Sequence, residues 1–231
     1  MTTLSLLPPI PPLSEPQNWA RLPIRESGEP LVAVTSLPGR LVVRSLYAEQ
    51  GIPGAPIGVS VRAGVHERLQ VAAHSLPVEV ELVVFDGYRP LTVQQYLWDS
   101  FYAEIAAQHP EDTETQWRER TMQFVATPTA DPNAPPPHRS GGAVDVYLRD
   151  TRTGEPLPMG TEPDETSPAS ATRWYEEHPE EPFTTYRRLL YHAMTGAGFT
   201  NYLGEWWHYD WGNQRWANCS GAAQAIYGLA E

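Results

Sequence analysis

The clearest secondary structure in this chain is predicted by Val78-Glu79-Val80-Glu81-Leu82-Val83-Val84-Phe85. Apolar and charged residues alternate in the first half of this stretch, as in a half-buried strand, and the second half is apolar throughout, as in a strand covered on both faces. The stretch runs directly into Asp86-Gly87-Tyr88-Arg89-Pro90, a turn that carries an acid, a base and an aromatic side chain. We therefore expect a core strand that ends in a candidate functional turn.

Helices and strands alternate irregularly on either side of this strand. Apolar spacing and apolar runs predict helices over 63–75, 91–108, 114–125 and 182–197, and strands over 41–43, 143–148 and 199–211. A short Ala-rich helix is expected to close the chain, and long loops rich in proline and glycine cover 127–137 and 149–172. Few strands and long loops favour an α+β fold, a single domain in which helices flank a small, mostly antiparallel sheet.

The N-terminal segment, residues 1–30, is rich in proline and is predicted to form an extended arm or a coat over a domain formed by residues 31–231. Its apolar start lacks a positively charged region and is interrupted by prolines, which is not typical of a signal peptide or a membrane span. We therefore expect a cytoplasmic protein without a membrane partner.

Composition excludes several functions. Sixteen basic and 28 acidic residues give a net charge of −12 with no basic cluster, which argues against nucleic acid and anionic membranes as partners. All 16 basic residues are arginine, so no lysine can act as a nucleophile or form a Schiff base. The single cysteine, Cys219, excludes an intramolecular disulfide and a cysteine-rich metal site. No Gly-x-Gly-x-x-Gly or P-loop pattern supports a nucleotide site.

A candidate metal-binding pair lies in His138-Arg139-Ser140-Gly141-Gly142-Ala143-Val144-Asp145. Imidazole nitrogen and carboxylate oxygen are both zinc ligands, and the two glycines allow a tight turn between the two side chains. The alternative is a loop histidine and a solvated strand carboxylate. Because Asp145 lies in an apolar strand, where an unpaired charge is costly, the metal-binding interpretation gains weight.

A second candidate pair lies in Glu205-Trp206-Trp207-His208-Tyr209. A histidine in such an apolar strand is more often a hydrogen-bonded core residue than a ligand, but a nearby carboxylate is what a zinc hydrolase needs beside the attacking water. Positions three apart in a regular strand point to opposite faces. If Glu205 and His208 serve one site, the backbone at Trp206-Trp207 must bend, or Glu205 must precede the strand.

Arg89 is the third element. It could be a structural clamp that pairs with Asp86 across the turn, or a fixed guanidinium aimed at the oxyanion that develops when a carbonyl is attacked.

The three motifs, in this order and spacing, resemble the D-alanyl-D-alanine dipeptidases, the VanX-like zinc peptidases related to the D,D-carboxypeptidases. The segment from Thr153-Gly154-Glu155 to Asp164 also resembles the family, and the likeness covers roughly residues 41–211. It implies one Zn²⁺ per chain and roles for seven residues. The metal ligands would be His138, Asp145 and His208; Glu205 would be the general base and Arg89 the stabiliser of the tetrahedral intermediate; Asp164 and Tyr88 would contact the substrate, with Asp164 near its ammonium.

One position departs from the family pattern, which usually has serine two residues before the first histidine, where this chain has Pro136. The resemblance implies hydrolysis of D-alanyl-D-alanine or a similar short D-dipeptide, in peptidoglycan turnover, D-alanine recovery or glycopeptide resistance. A D,D- or L,D-carboxypeptidase acting on muropeptides and a non-catalytic, zinc-stabilised binding domain are the alternatives. No pattern specifies an oligomeric state.

Overall fold

The computed structural model describes residues 7–14 and 17–230. Its strands are β1 (Leu31–Ala33), β2 (Leu41–Val43), β3 (Ser60–Arg62), β4 (Val80–Asp86), β5 (Ala143–Asp150), β6 (Thr200–Asn201) and β7 (His208–Asp210). Its α-helices are α1 (Leu46–Glu49), α2 (Ala63–Ser75), α3 (Leu91–Gln108), α4 (Glu114–Thr121), α5 (Trp174–Glu177), α6 (Phe183–Gly196) and α7 (Gln214–Ser220).

The main sheet has the order β2-β4-β5-β7-β6 among the described residues. β2 and β4 run parallel, and every other neighbouring pair is antiparallel. A second, two-stranded antiparallel sheet joins β1 to β3. Helices pack around these sheets, so the predicted α+β fold with a mostly antiparallel sheet is confirmed.

The main apolar core forms around β4, in which every residue is buried. Helices α2 and α6 contact each other, and they also contact β4 and β5 respectively. Leu69, Leu82, Leu148 and Leu190 are fully buried in this core, and each such side chain contributes about 1.5–3 kcal/mol relative to an exposed position. The core makes the centre of the sheet a rigid support for the turns at its end.

Most of the predicted elements are confirmed, and the exceptions are informative. α2 and α3 have the predicted bounds, whereas α4 ends at Thr121 rather than at residue 125. β4 begins at Val80 because the amide of Val80 donates to the carbonyl of Pro77 in a turn that leaves Val78 exposed. The prediction of one strand over 199–211 is wrong, since β6 and β7 form a hairpin whose loop is residues 202–207.

The N-terminal segment lies against the domain at several points. Ile10 is buried and its amide donates to Glu176 at 2.9 Å. Further along, the side-chain amide of Gln214 donates to the carbonyls of Ala20 and Leu22. The division of the chain at residue 30 stays a prediction. No helix in the described part of the chain is long and apolar enough to cross a membrane.

Candidate metal centre

The register of the main sheet brings three candidate side chains into one row. Asp86 on β4 pairs with Asp145 on β5, and Asp145 pairs with His208 on β7. Residues directly opposite each other in paired strands point to the same face. Between Val84 and Asp86 the register shifts by one residue, a β-bulge that turns the Asp86 side chain into this row.

His138 reaches the row from a short 3-10 turn, Pro137–Ser140, that leads into β5. Gly141 ends this turn with a positive φ of 69°, a conformation that costs glycine little. The ring nitrogen Nδ1 of His138 lies 2.8 Å from the carbonyl oxygen of Gly87. A β-carbon at Gly87 would lie 2.6 Å from the carbonyl oxygen of Ser60, so the turn after β4 approaches its neighbours closely only because this residue is glycine. The turn after β4 thus holds His138 in place.

Glu205 and His208 share one side of the sheet because Glu205 precedes β7. The loop 202–207 is fixed by hydrogen bonds from the Asn201 side chain to the carbonyls of Glu205 and His208, and from the Trp206 amide to the carbonyl of Ser170. As a result Glu205 Oε2 lies 3.9 Å from His208 Nδ1. This meets the geometric condition that the sequence set for the pair.

Three buried side chains, His138, Asp145 and His208, bring their ligand atoms together in the cluster. His138 Nε2 lies 3.2 Å from His208 Nδ1 and 3.3 Å from Asp145 Oδ2, and His208 Nδ1 lies 3.1 Å from Asp145 Oδ1. Two ligands of a tetrahedral zinc ion with bonds of about 2.0–2.1 Å lie about 3.3 Å apart. The separations in the cluster therefore fit the ligand spacing of a zinc ion.

In each histidine, the ring nitrogen that faces away from the cluster (its outer nitrogen) also supports a metal site. His138 Nδ1 faces the Gly87 carbonyl, and His208 Nε2 faces Asp210 Oδ1 at 3.3 Å. Both partners are acceptors, so each outer nitrogen carries a hydrogen, and a neutral ring then directs its inner lone pair at the other ring and at Asp145. Three electron-rich atoms this close repel one another unless a cation or protons lie between them. Metal-bound histidines are oriented by such outer partners.

Electrostatics in the cluster are strong because its groups are buried together. Burial opposes ionisation of Asp145, yet His138 and His208 hold its pKa well below the usual range. Burial also opposes a charge on His208, but the carboxylates of Asp210 and Asp145 raise its pKa to about 10. Protons and a metal ion thus compete for the same nitrogen. Burial raises the pKa of Glu205 to about 8, against the opposing effect of His208.

Arg89 forms the structural clamp, one of the two roles that the sequence left open, and its role towards an oxyanion stays a prediction. Its Nη2 and Nε donate to Asp86 Oδ2 at 2.7 and 2.9 Å, which is the structural clamp. Its Nη1 donates to Gln94, and its Nη2 lies 3.5 Å from Asp145 Oδ2. The guanidinium is therefore held rigidly and borders the cluster.

A cavity of about 320 Å³ opens onto the cluster, a volume in the range of small-molecule sites. Its lining includes His138, Asp145, His208, Glu205, Arg89 and Asp164. Asp164 has a positive φ of 63° and accepts a hydrogen bond from the Tyr47 hydroxyl at 3.2 Å; burial raises its pKa to about 6. Tyr88 is not among the lining residues: its hydroxyl accepts from Arg139 at 3.1 Å, away from the cavity. Its contact with substrate stays a prediction that this geometry does not favour.

Several residues at the site escaped the sequence analysis. Asp210 supports His208, Tyr47 joins Asp164 to Arg89, and Trp19 and Arg215 border the cavity. Asp210 lies two residues after His208, a spacing that places both side chains on one face of a strand. The contact between Asp210 and His208 could therefore have been predicted from the sequence. The contacts of Trp19 and Arg215 could not, because they join distant parts of the chain.

An α+β domain that gathers two histidines, an aspartate and a buried glutamate at one cavity has the construction of a metallopeptidase. Comparison with known proteins agrees: the family model described as D-Ala-D-Ala dipeptidase matches residues 61–225. The chain belongs to this family.

Its relatives include three D-alanyl-D-alanine dipeptidases. That of Synechocystis sp. is 36% identical over 227 residues, which cover 86% of this chain and 88% of the relative. That of Escherichia coli is 35% identical over 57% of this chain and 55% of the relative. That of Enterococcus faecalis is 30% identical over 59% of this chain and 64% of the relative.

Proposed function

We propose that this protein is a zinc-dependent dipeptidase that hydrolyses D-alanyl-D-alanine or a similar short D-dipeptide, with one Zn²⁺ per chain held by His138, Asp145 and His208. The observation that carries the proposal is the set of three buried side chains whose nearest ligand atoms lie 3.1–3.3 Å apart in each pair, with the carboxylate of Glu205 beside them. Membership in the D-Ala-D-Ala dipeptidase family supports the substrate class.

The reaction joins the oxygen of a water molecule to the carbonyl carbon of the peptide and breaks the C–N bond. Zinc bound in the cluster would supply Lewis-acid chemistry, lowering the pKa of water and polarising a carbonyl group. Glu205 takes a proton from the attacking water at its carboxylate and delivers it to the nitrogen of the leaving amine. Its distance of 3.9 Å from His208 Nδ1 puts this carboxylate next to the ligand atoms without making it one of the converging three.

Two further charges suit a dipeptide. Arg89, fixed by Asp86, stabilises the negative charge that develops on the carbonyl oxygen during attack. Asp164, on the same side of the cluster as Arg89 through their shared partner Tyr47, pairs with the free ammonium of the substrate. The product, D-alanine or a similar D-amino acid, belongs to peptidoglycan metabolism, and a small soluble dipeptide suits the predicted cytoplasmic location.

The first test measures D-alanyl-D-alanine hydrolysis and zinc content together. A chelator should abolish activity and zinc should restore it. Glu205→Gln should keep one zinc per chain while lowering kcat about 10²- to 10⁴-fold, because the proton acceptor is lost. Glu67→Gln, at an exposed position of α2, is the matched control and should change neither value. A zinc-loaded protein that hydrolyses no D,D-dipeptide would refute the proposal, and a fully active Glu205→Gln would refute the role of Glu205.

The second test separates a dipeptidase from a carboxypeptidase. A site that pairs Asp164 with the substrate ammonium should reject N-acetyl-D-alanyl-D-alanine, and Asp164→Asn should reduce the preference for the free dipeptide. Faster hydrolysis of the acylated peptide by the wild-type protein would favour a carboxypeptidase instead.

A further inference from the structure

A second arginine, Arg215, borders the cavity that Glu205 also lines. It lies in the first turn of α7, and its side chain is 12% exposed. Its Nε lies 3.5 Å from Asp210 Oδ2, on the outer side of His208. Its guanidinium carbon lies 3.9 Å from the centre of the Tyr202 ring and 5.8 Å from that of Trp19. Two aromatic rings and one carboxylate thus hold a cation at the wall of the site.

The two arginines of the cavity differ in how far their N–H groups are occupied. Arg89 donates to Asp86, Gln94 and Tyr47. In contrast, the buried Nη2 of Arg215 has no hydrogen-bonding partner in the described parts of the chain. A buried donor without an acceptor costs about 1–3 kcal/mol. A guanidinium that borders a cavity and has an unpaired N–H group is suited to bind a carboxylate, with which it can form two parallel hydrogen bonds.

We infer that Arg215 binds the C-terminal carboxylate of the substrate, an inference that rests on the proposed dipeptidase function. A free dipeptide carries an ammonium at one end and a carboxylate at the other, with the scissile bond between them. Asp164 lies on the Asp145 side of the cluster, because it is hydrogen-bonded to Tyr47, which accepts from Arg89, and Arg89 lies next to Asp145. Arg215 lies on the His208 side, because it pairs with Asp210, which contacts His208. The two charges therefore suit the two ends of one short zwitterion that spans the cluster.

Through Trp19, the N-terminal segment contributes to the wall of the cavity next to Arg215. Trp19 belongs to the short turn Trp19–Arg21, which packs against α7 and borders the cavity, and it lies outside the residues matched by the family model. The guanidinium of Arg215 lies over both this ring and that of Tyr202, and contact with aromatic faces restricts its orientation. Trp19 is accordingly a positioning residue for the carboxylate receptor.

The test compares D-alanyl-D-alanine with its C-terminal amide, which lacks the charge, on the zinc-loaded protein. The wild type should prefer the acid, and Arg215→Met should lower kcat/KM for the acid about 10- to 100-fold, mainly through KM, the range expected for one charge-assisted contact. The same variant should change kcat/KM for the amide less than threefold, so that the preference is lost. Trp19→Ala should lower the preference in the same direction by a smaller factor.

Arg68→Met is the matched control, because Arg68 also stacks on a tryptophan, Trp211, but does not border the cavity. It should leave the preference for the acid unchanged. An effect of Arg215 that acted only through Glu205 or the metal ligands would lower activity on both substrates equally, and that result would overturn the inference. Equal kcat/KM of the wild type for acid and amide would overturn it without any variant, while leaving the dipeptidase function intact. No hydrolysis of either substrate would instead refute the proposed function itself.

Discussion

Replacing Asp210 by asparagine should weaken zinc binding while leaving the fold intact. Asp210 is buried, and its contact with His208 is at Nε2, whereas His208 Nδ1 is the nitrogen that lies near His138 and Asp145. Asp210 Oδ1 accepts from Asn213 at 2.6 Å and faces His208 Nε2 at 3.3 Å, and its Oδ2 faces Arg215 at 3.5 Å. The carboxylate therefore has hydrogen-bonding contacts with His208 and Asn213 and an ion-pair contact with Arg215. Such a partner favours a hydrogen on Nε2 of His208, which would leave Nδ1 for a metal ion.

Asparagine has the same shape but cannot satisfy this arrangement. If its carbonyl oxygen faces His208 and Asn213, its amide group faces the N–H of Arg215; if it is flipped, the amide faces two other donors. In either orientation the outer nitrogen of His208 loses its carboxylate partner, and mutation of such a partner of a metal-bound histidine typically weakens metal binding 10- to 100-fold. Because the observed contact of 3.3 Å is long, we expect the lower part of that range, about 10- to 30-fold, or about 1.4–2 kcal/mol.

The assay is a competition titration with a chromophoric zinc chelator at constant pH, which yields the dissociation constant of zinc for each protein. Asp150→Asn, at the far end of β5 and paired with exposed Arg152, is the control and should bind zinc like the wild type. A dissociation constant for Asp210→Asn within twofold of the wild-type value would show that Asp210 does not orient His208, and the reasoning from the outer nitrogens would fail.

Three further predictions concern stability and close packing. Zinc at 1,000 times its dissociation constant should raise the free energy of unfolding of the metal-free protein by about 4 kcal/mol. For a chain of this size, that corresponds to a rise in Tm of about 8–16 °C. An unchanged Tm in differential scanning calorimetry would contradict a zinc site formed by the folded state. Leu69→Ala in the core should lower the free energy of unfolding by about 2–5 kcal/mol in urea titrations, whereas Val71→Ala, 57% exposed on the same helix, should stay within about 0.5 kcal/mol. Gly142→Ala would bring a β-carbon to 2.5 Å from the Trp211 carbonyl oxygen, and it should therefore reduce both stability and zinc content. Gly196→Ala, whose β-carbon meets open space, should reduce neither. Equal stability and zinc content of the two variants would count against tight packing around Gly142.

Local periodicity predicted the helices and the central strand well. α2 and α3 have the bounds that their apolar spacing indicates, since that spacing matches the buried face of each helix except at Val71 in α2, which is exposed. The hairpin of β6 and β7 was missed because its buried aromatic residues lie in the loop as well as in the strands. The run of apolar residues therefore indicated burial and not a continuous strand. The prediction that Tyr88 contacts substrate came from the resemblance alone, and the ring's partner is Arg139.

The sequence by itself determined the chemical inventory: two histidines, an aspartate and a glutamate in motifs that resemble one family of dipeptidases. It also set a condition: if Glu205 and His208 serve one site, the backbone from one to the other cannot be a regular strand. Only the tertiary structure decided how these groups meet, because the contacts join residues far apart in the chain, such as His138 and His208, separated by 70 positions. Strand register, a β-bulge and the packing of the N-terminal segment beside Arg215 depend on which distant surfaces fit together. No local pattern of residues encodes that fit, since it is the sum of many contacts across the core.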